Sequence, residues 1–457
     1  MTATGQDAPA STTEPGPDAA AAATLAPSTA ELKERFAPVF AKIAAGARDR
    51  ERDRRLGHEA IRLLSEAGFT RVRLPVGRGG LGASIEQLID LLVDLGAADS
   101  NLPQALHGHF LFTEVHQHQH QGAVSDWWFK EVAAGKVFGN AIVEKPASAG
   151  TRPTLIEALE DGRYRVTGDK FYSTGTLLSD YVLVEGELAG TGSGTEKPQR
   201  GALILGTLDQ GVELVDDWNG IGQRLTASGT TRLHGAAAPA GRLMAMGVPA
   251  NPLGFTLVWL ILAATGAGIA RAAADEAAAY ARGRERTYEH ASAATTAGDP
   301  LMQHAVGQIS ARASAARSIV VDTASTVAHA FESTRGITDM ADPVFRETYA
   351  QAYVAVSEAY SVVSELSVAA ANEVFEVGGA SVLDAARQLD RHWRNARTVA
   401  SHSPGAYRLR AVGDYRINGT VPPLSAHSTG PAPAQHAATT ADAAAAEADQ
   451  AAQKEQS

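Results

Sequence analysis

The chain has 457 residues, a net charge of −11 and no cysteine. The length allows two or three packed units around a large core. The acidic balance argues against a general nucleic-acid binder and against attraction to anionic membranes. The lack of Cys excludes disulfides, thiolate metal sites and a Cys nucleophile, which suits a cytoplasmic protein.

Residues 1–27 are Ala/Pro/Thr-rich, with no basic or apolar leader pattern, and read as a disordered tail. Ser28-Thr29-Ala30-Glu31 is a capping box that opens a first helix. A second helix is predicted from about Asp49 to Ala67, with Leu56, Ile61 and Leu64 on one face and Gly68 as its stop. Pro75 to Gly82 is a Gly-rich turn that lacks a phosphate-binding fingerprint. Ser84 to Gln87 is another capping box, leading a helix with Leu88, Ile89, Leu92 and Leu95 inward. His107, His109, His116, His118 and His120 follow. A metal would need three or four convergent ligands, so the run reads as a solvated helix face interleaved with Gln, with His109 internal among Phe110, Leu111 and Phe112.

From Lys136 the texture changes to short β-branched runs at 137–144, 155–160, 163–171, 181–187, 202–208, 212–215 and 230–234. Asp161-Gly162 is a hairpin signal. This reads as an antiparallel β domain over 137–245, following an N-terminal helical domain over 28–136. From 246 to 425 the pattern is helical again, interrupted near Pro300, Gly336 and Gly378-Gly379, and predicts a four-helix bundle. Asn251 to Ile269 carries no charge, but reads as a buried bundle helix rather than a membrane span. The bundle closes on His392-Trp393-Arg394-Asn395-Ala396-Arg397-Thr398-Val399-Ala400-Ser401-His402-Ser403-Pro404. That is either a helix end whose cations complement the macrodipole or a loop edge presenting an imidazole for chemistry. Residues 426–457 read as a second disordered tail.

The order helices, β domain, bundle is joined by four motifs. These are Gly139-Asn140-Ala141; Lys170-Phe171-Tyr172-Ser173-Thr174-Gly175; Asp217-Trp218 through Gly222-Gln223-Arg224 to Ser228-Gly229; and Trp393-Arg394-Asn395-Ala396-Arg397 to His402-Ser403-Pro404. Together they resemble the α+β acyl-CoA dehydrogenase fold. Within it they resemble the flavin monooxygenase branch of dibenzothiophene monooxygenase and the dimethylsulfone-utilisation proteins, over about residues 30 to 425. A dehydrogenase of this fold needs a carboxylate base to abstract an α-proton. The two segments that supply one in that family read Thr256-Leu257-Val258-Trp259-Leu260 and Thr398 to Pro404 here, with no carboxylate in either.

The resemblance implies a two-component monooxygenase using reduced FMN, in preference to FAD, and O2 to oxygenate a small organosulfur compound through a C4a-hydroperoxyflavin. It implies Asn140, Thr174 and His402 as catalytic residues. Asn140, Ala141, Ile142, Val143, Glu144 and Lys145, with Lys170, Phe171, Tyr172, Ser173 and Thr174, would line the flavin. Arg286 would bind its phosphate from a neighbouring subunit of a homotetramer, and Ala380 and Ser381 would meet the cofactor through backbone. Trp218, Gln104, Gly108 and His109 would face substrate. Two departures appear: the related thioether enzymes carry a His and a Tyr where an ungapped reading gives Gln104 and Gly108, and a Ser in place of Thr174. The lack of a nicotinamide fingerprint implies a separate NAD(P)H:flavin reductase. An N-oxygenase of the nitrososynthase kind and an acyl-CoA dehydrogenase with a relocated base share the fold and stand as the alternatives.

Overall fold

The computed structural model describes residues 26–144, 153–192, 198–244, 252–285 and 287–424. The expected tails therefore lie outside the described residues, apart from Ala26 and Pro27, as do Lys145 and Arg286. The first helix, α1 (Thr29–Asp53), starts at the predicted capping box: Ser28 N–H donates to Glu31 Oε2 at 2.7 Å, and Glu31 N–H donates to Ser28 Oγ at 3.3 Å. Leu32, Phe36, Phe40 and Ile43 bury one stripe at helical spacing. The expected new start at Asp49 is corrected. α1 runs on to Asp53, and α2 (His58–Ala67) begins after a left-handed Arg54, φ 49°. Tertiary contacts fix that break, because the Arg54 guanidinium donates to Asp216 Oδ2 at 2.8 Å and to the Trp218 carbonyl at 2.8 Å.

Next come α3 (Ile85–Ala98), capped by Ser84 and Gln87 as expected, α4 (Asn101–Ala105), α5 (His107–His118) and α6 (Ala123–Ala133). The histidine run is not a solvated face. His107, His109, His116 and His118 are at most 7% exposed, and only His120 reaches solvent, where it meets Asp126 at 2.9 Å. α5 is wedged among β1, α6 and α7, so its rings serve as flat core side chains that still need a polar partner. His116 packs 4.7 Å from Trp128 and meets Ser125 Oγ at 2.8 Å; His118 meets Thr334 Oγ1 at 2.8 Å; His109 donates from Nε2 to the Thr70 carbonyl at 2.6 Å. Among the described residues no three potential metal ligands converge.

Among the described residues the β domain is one eight-stranded sheet of β1 (Phe138–Ala141), β2 (Leu155–Ala158), β3 (Arg163–Ser173), β4 (Tyr181–Leu188), β5 (Arg200–Gly206), β6 (Val212–Val215), β7 (Gly229–Pro239) and β8 (Leu243–Met244). The expected antiparallel sheet is corrected to a mixed one. β1 and β2 pair with successive stretches of the same edge of β4, Phe138 opposite Tyr181 and Leu155 opposite Glu187, and both run parallel to it. The Asp161-Gly162 hairpin forms, with β2 antiparallel to β3. Inward Ile156, Val166, Val182, Val184, Leu203, Leu205 and Leu233 make the core of this layer.

Among the described residues three helices exceed 30 residues: α7 (Pro252–Gly283), α8 (Pro300–Ser333) and α9 (Pro343–Glu373). The fourth bundle position is divided between the shorter α10 (Asp390–Ala400) and α11 (Gly405–Asn418), because Pro404 interrupts the chain between them. α7 is long and apolar enough to cross a membrane, yet 89% of its apolar window is buried inside the protein, against α3, α8 and α9. α3 and α7 approach so closely at Gly96 and Gly268 that a Cβ on Gly268 would lie 2.7 Å from the Gly96 backbone. The described residues up to Pro422 form one compact unit.

Burial lowers His109 to about 4, His116 to about 3 and His118 to about 4, whereas the same side chains titrate near 6.5 when unfolded. The unfolded chain therefore takes up protons first. Stability from these residues is complete above pH 6.5 and is lost as pH falls toward 4. The loss is on the order of 1.4 kcal/mol for each pH unit separating the folded and unfolded midpoints of one histidine. Thermal melts from pH 7.5 to 4.5 should show a steep drop in Tm below 6.5, and His116→Gln should flatten it.

Candidate active site

Three segments meet at the junction of α5, the sheet and the α10–α11 turn. Asn140, at the end of β1, is 7% exposed. Its Nδ2 donates to the Thr174 carbonyl at 3.3 Å and lies 3.5 Å from His107 Nε2. His107 donates from Nδ1 to the Gln104 carbonyl, which leaves Nε2 as the acceptor facing Asn140. The His402 ring stands edge-on to His107 with centroids 6.3 Å apart. Thr174 Oγ1 shares a hydrogen bond with Ser228 Oγ at 2.8 Å, and Ser228 in turn meets Thr226 Oγ1 at 2.8 Å. The expected catalytic set Asn140, Thr174 and His402 is thus brought together, with His107 as its link. Sequence reading placed His107 in the histidine run, within a few residues of Gln104 and Gly108, where the related enzymes carry a His and a Tyr, and gave it no role in the site. The signal was its distance of three residues from Gln104, close to one helical turn from the position where the related enzymes carry a ring.

The cluster is polar but nearly neutral. Burial lowers the His107 imidazole; crowding by protein, His107 and Arg408 lower that of His402. Lowered from an ordinary value near 6.5, both rings are neutral at pH 7, and His402 keeps surface open to solvent. The nearby fixed charges are internally balanced. Lys170 is fully buried and donates to Glu144 and to the Ile142 carbonyl at 3.2 Å, while Glu144 also accepts from Thr154 N–H at 3.2 Å. Burial lowers the Lys170 ammonium, an effect opposed by Glu144.

The remaining expected residues divide into two groups. Ala141, Ile142, Val143, Glu144, Lys170, Phe171, Tyr172 and Ser173 lie on adjoining ends of β1 and β3, tied by Phe171 N–H to the Val143 carbonyl at 2.8 Å. Tyr172 sits at φ 55° where the β3–β7 register slips; it is 47% exposed and meets the Trp218 ring edge-on at 5.6 Å. A left-handed tyrosine is a strained residue that its surroundings must hold in place. By contrast, His109 is corrected as a substrate contact: it is fully buried, with Nε2 given to Thr70 and Nδ1 accepting from Phe138 N–H at 3.4 Å. Gln104 is also corrected, since its Oε1 accepts from Gln223 Nε2 at 2.9 Å behind the cluster. Ala380 and Ser381 are exposed and lie against Tyr280 near the far end of α7, with Ser381 Oγ 2.8 Å from its hydroxyl. That is roughly 40 Å along α7 from Gly254, which packs on α5, at about 1.5 Å per residue. Within one chain they do not meet the cluster.

The residues present fit a flavin. Ser173 Oγ is buried without a partner beside Thr174, a donor left for a group that protein does not supply. Among the described residues the neighbouring groups are amide, hydroxyl, imidazole and aromatic, and the Glu144 carboxylate beside them is paired with Lys170.

Gly108 controls the placement of Asn140. A Cβ added there would lie 2.7 Å from Asn140 Nδ2, closer than side-chain carbons pack. Gly108→Ala should keep the helix, which Ala favours, and displace the amide from His107 and Thr174. Losing about one hydrogen bond, on the order of 1 kcal/mol, should weaken reduced-FMN affinity severalfold in an anaerobic fluorescence titration, with the far-UV circular dichroism unchanged.

Residues 260–404 match the family model described as "Acyl-CoA dehydrogenase, C-terminal domain". The dibenzothiophene monooxygenase of Rhodococcus erythropolis is 28% identical over 398 residues, covering 81% of this chain and 90% of its own. The probable FMNH2-dependent monooxygenase SfnC of Pseudomonas putida is 25% identical over 405 residues, covering 87% and 96%. The structure of TdsC from Paenibacillus sp. A11-2 with FMN and indole superposes with a TM-score of 0.76 at 24% identity, covering 86% of this chain and 98% of that one. The chain has the acyl-CoA dehydrogenase-like fold and is a relative, over four-fifths of its length, of monooxygenases built on it.

Proposed function

We propose that this protein is an FMNH2-dependent monooxygenase acting on a small organosulfur compound, fed by a separate NAD(P)H:flavin reductase. The observation that carries the reading is the convergence of Asn140, Thr174, His107 and His402 as neutral hydrogen-bonding groups, with the Glu144 carboxylate nearby committed to Lys170. A proton-abstracting dehydrogenase would need a free carboxylate there. The names of its relatives point the same way.

Reduced FMN bound at this site supplies activation of O2 and transfer of one oxygen atom to the substrate. Asn140 and Thr174 orient the isoalloxazine edge by amide and hydroxyl hydrogen bonds, and Ser173 adds the unpartnered hydroxyl. Ala141, Ile142, Val143, Phe171 and Tyr172 line it, Lys170 and Glu144 brace that lining, and Gly108 leaves the space that Asn140 needs. His402, neutral at pH 7, holds or moves a proton at a ring nitrogen. Trp218 and Tyr172 exclude water from one side. Ala380 and Ser381, remote from this cluster in one chain, serve the site of a neighbouring subunit in the homotetramer we propose. Its location is cytoplasmic, where flavin reductases regenerate FMNH2.

Anaerobic titration with FMNH2, followed by rapid mixing with air-saturated buffer, tests the reading. A transient near-ultraviolet absorbance band before reoxidation is expected, and His402→Ala should shorten its lifetime without changing the fold. Plain reoxidation with no transient, together with tightly held FAD that an acyl-CoA can bleach without O2, would return the protein to the dehydrogenases.

A further inference from the structure

Three buried hydroxyls run in single file from the site into the protein. Thr174 Oγ1 lies 2.8 Å from Ser228 Oγ, Ser228 Oγ lies 2.8 Å from Thr226 Oγ1, and Thr226 Oγ1 reaches the Gln223 carbonyl at 3.0 Å. Each hydroxyl has one proton to give and can also accept, so the file has two possible directions. Inward, Thr174 donates to Ser228, Ser228 to Thr226 and Thr226 to the Gln223 carbonyl, and the three protons make the contacts of 2.8, 2.8 and 3.0 Å. With Trp218 Nε1 at 2.9 Å, this fills both lone pairs of that carbonyl. Outward, Thr226 donates to Ser228 and Ser228 to Thr174, whose own proton is left with the Tyr172 carbonyl at 3.3 Å. That carbonyl already accepts the Thr174 N–H at 2.8 Å. The inward direction ends in the shorter bond, and hydrogen bonds that run one way polarise one another.

The direction decides what the site shows to a ligand. With its proton given to Ser228, Thr174 Oγ1 offers a lone pair. Asn140 does the same. Its Nδ2 faces the Thr174 carbonyl at 3.3 Å and His107 Nε2 at 3.5 Å, and no described residue donates to its Oδ1. Ser173 Oγ, buried without a partner, turns its proton either way and sets no preference. An edge lined by acceptors favours a ring N–H and disfavours a bare ring nitrogen, whose lone pair would meet another lone pair. Reduction of an isoalloxazine turns a bare ring nitrogen into an N–H.

We propose that Ser228 and Thr226 are positioning residues: they draw the Thr174 proton inward, so that Thr174 meets the cofactor as an acceptor and the site tells reduced from oxidised flavin by hydrogen-bond polarity. This rests on the flavin-dependent reading above. Each residue acts through the proton of the next, and the Gln223 carbonyl fixes the far end of the file. Removing either hydroxyl frees the Thr174 proton to turn toward the ligand, which suits a bare nitrogen and opposes an N–H.

Anaerobic equilibrium dialysis of the flavin-free full chain against FMNH2 and, separately, against FMN tests the assignment. Wild type should bind FMNH2 the more tightly. Ser228→Ala should weaken FMNH2 and tighten FMN, narrowing the ratio of the two affinities about fivefold, the worth of one hydrogen bond. Thr226→Val, which keeps the shape and removes the hydroxyl, should move both affinities the same way, and Thr226→Ser should keep the wild-type ratio. A residue that only supports the fold would weaken both forms together. Equal affinity of wild type for the two forms, binding of neither, an unchanged ratio in Ser228→Ala, or a proportional loss of both forms would each overturn the proposal. Should Ser228→Ala fail to fold, Thr226→Val and Thr226→Ser decide. The FMNH2 and O2 mixing experiment separates the two readings. An absorbance transient with unchanged ratios in the variants sinks the positioning role alone, whereas shifted ratios without a transient sink the oxygenase chemistry and leave a site for reduced flavin.

Discussion

The buried amide of Gln223 holds the site together. It sits in a left-handed conformation, φ 47°, with no exposed surface. Its Nε2 donates to the Ser100 carbonyl and to Gln104 Oε1, both at 2.9 Å, and its Oε1 accepts from Ser100 Oγ at 3.2 Å. Its backbone N–H donates to Asn395 Oδ1 at 2.6 Å, and its carbonyl accepts from Trp218 Nε1 at 2.9 Å and Thr226 Oγ1 at 3.0 Å. Asn395 Nδ2 closes the ring on Ser100 Oγ at 3.0 Å. Every polar arm of the side chain is used, which is what makes such a network rigid rather than costly. Through it the N-terminal helices, the Trp218 loop and α10 hold one another. His107, Trp218 and His402 inherit their positions from that arrangement.

Charge is handled next to this hub rather than inside it. Glu51, 1% exposed, meets Arg394 at 2.7 Å and Arg224 at 3.8 Å, and Asp99 meets Arg50 at 2.8 Å. These pairs lock α1 to α10 and to the loop before β7, and they leave amides, hydroxyls and neutral rings around Asn140 and Thr174. Two of the remaining strained residues among those described, Tyr172 and Ala227, border the same region. Their cost is borne by the packing around them.

Much of this was legible in the sequence because it is local. Both capping boxes, the Asp161-Gly162 hairpin and the burial of the uncharged α7 follow from chemistry within a few residues. The order of the four motifs carried the fold. What the sequence could not show depends on partners far along the chain. α1 ends at Asp53 because Arg54 is drawn to Asp216, and the histidines of α5 are core because Trp128, Phe331 and Thr334 come to meet them. β1 and β2 are parallel to β4 because they share one of its edges. Within the site, Asn140, Thr174 and His402 were legible as motif residues. His107 stood within a few residues of Gln104 and Gly108, but in a run whose periodicity said nothing about its neighbours, and His109 and Gln104 proved to be supports.

The hub also bears on how the chain reaches its native state. Ser100 and Asn395 are 295 positions apart, and Gln223 and Asn395 are 172 apart. Contacts of such separation close large loops before they return any stabilisation, and they form slowly. A ribosome must release the chain past residue 402 before the three segments of the site can meet at all. α7, with a mean hydropathy of 1.9 over its most apolar window, has its main packing partners α3, α8 and α9 earlier, since all three precede residue 402. The apolar core of the bundle can therefore close on nascent chain that does not yet carry a complete active site.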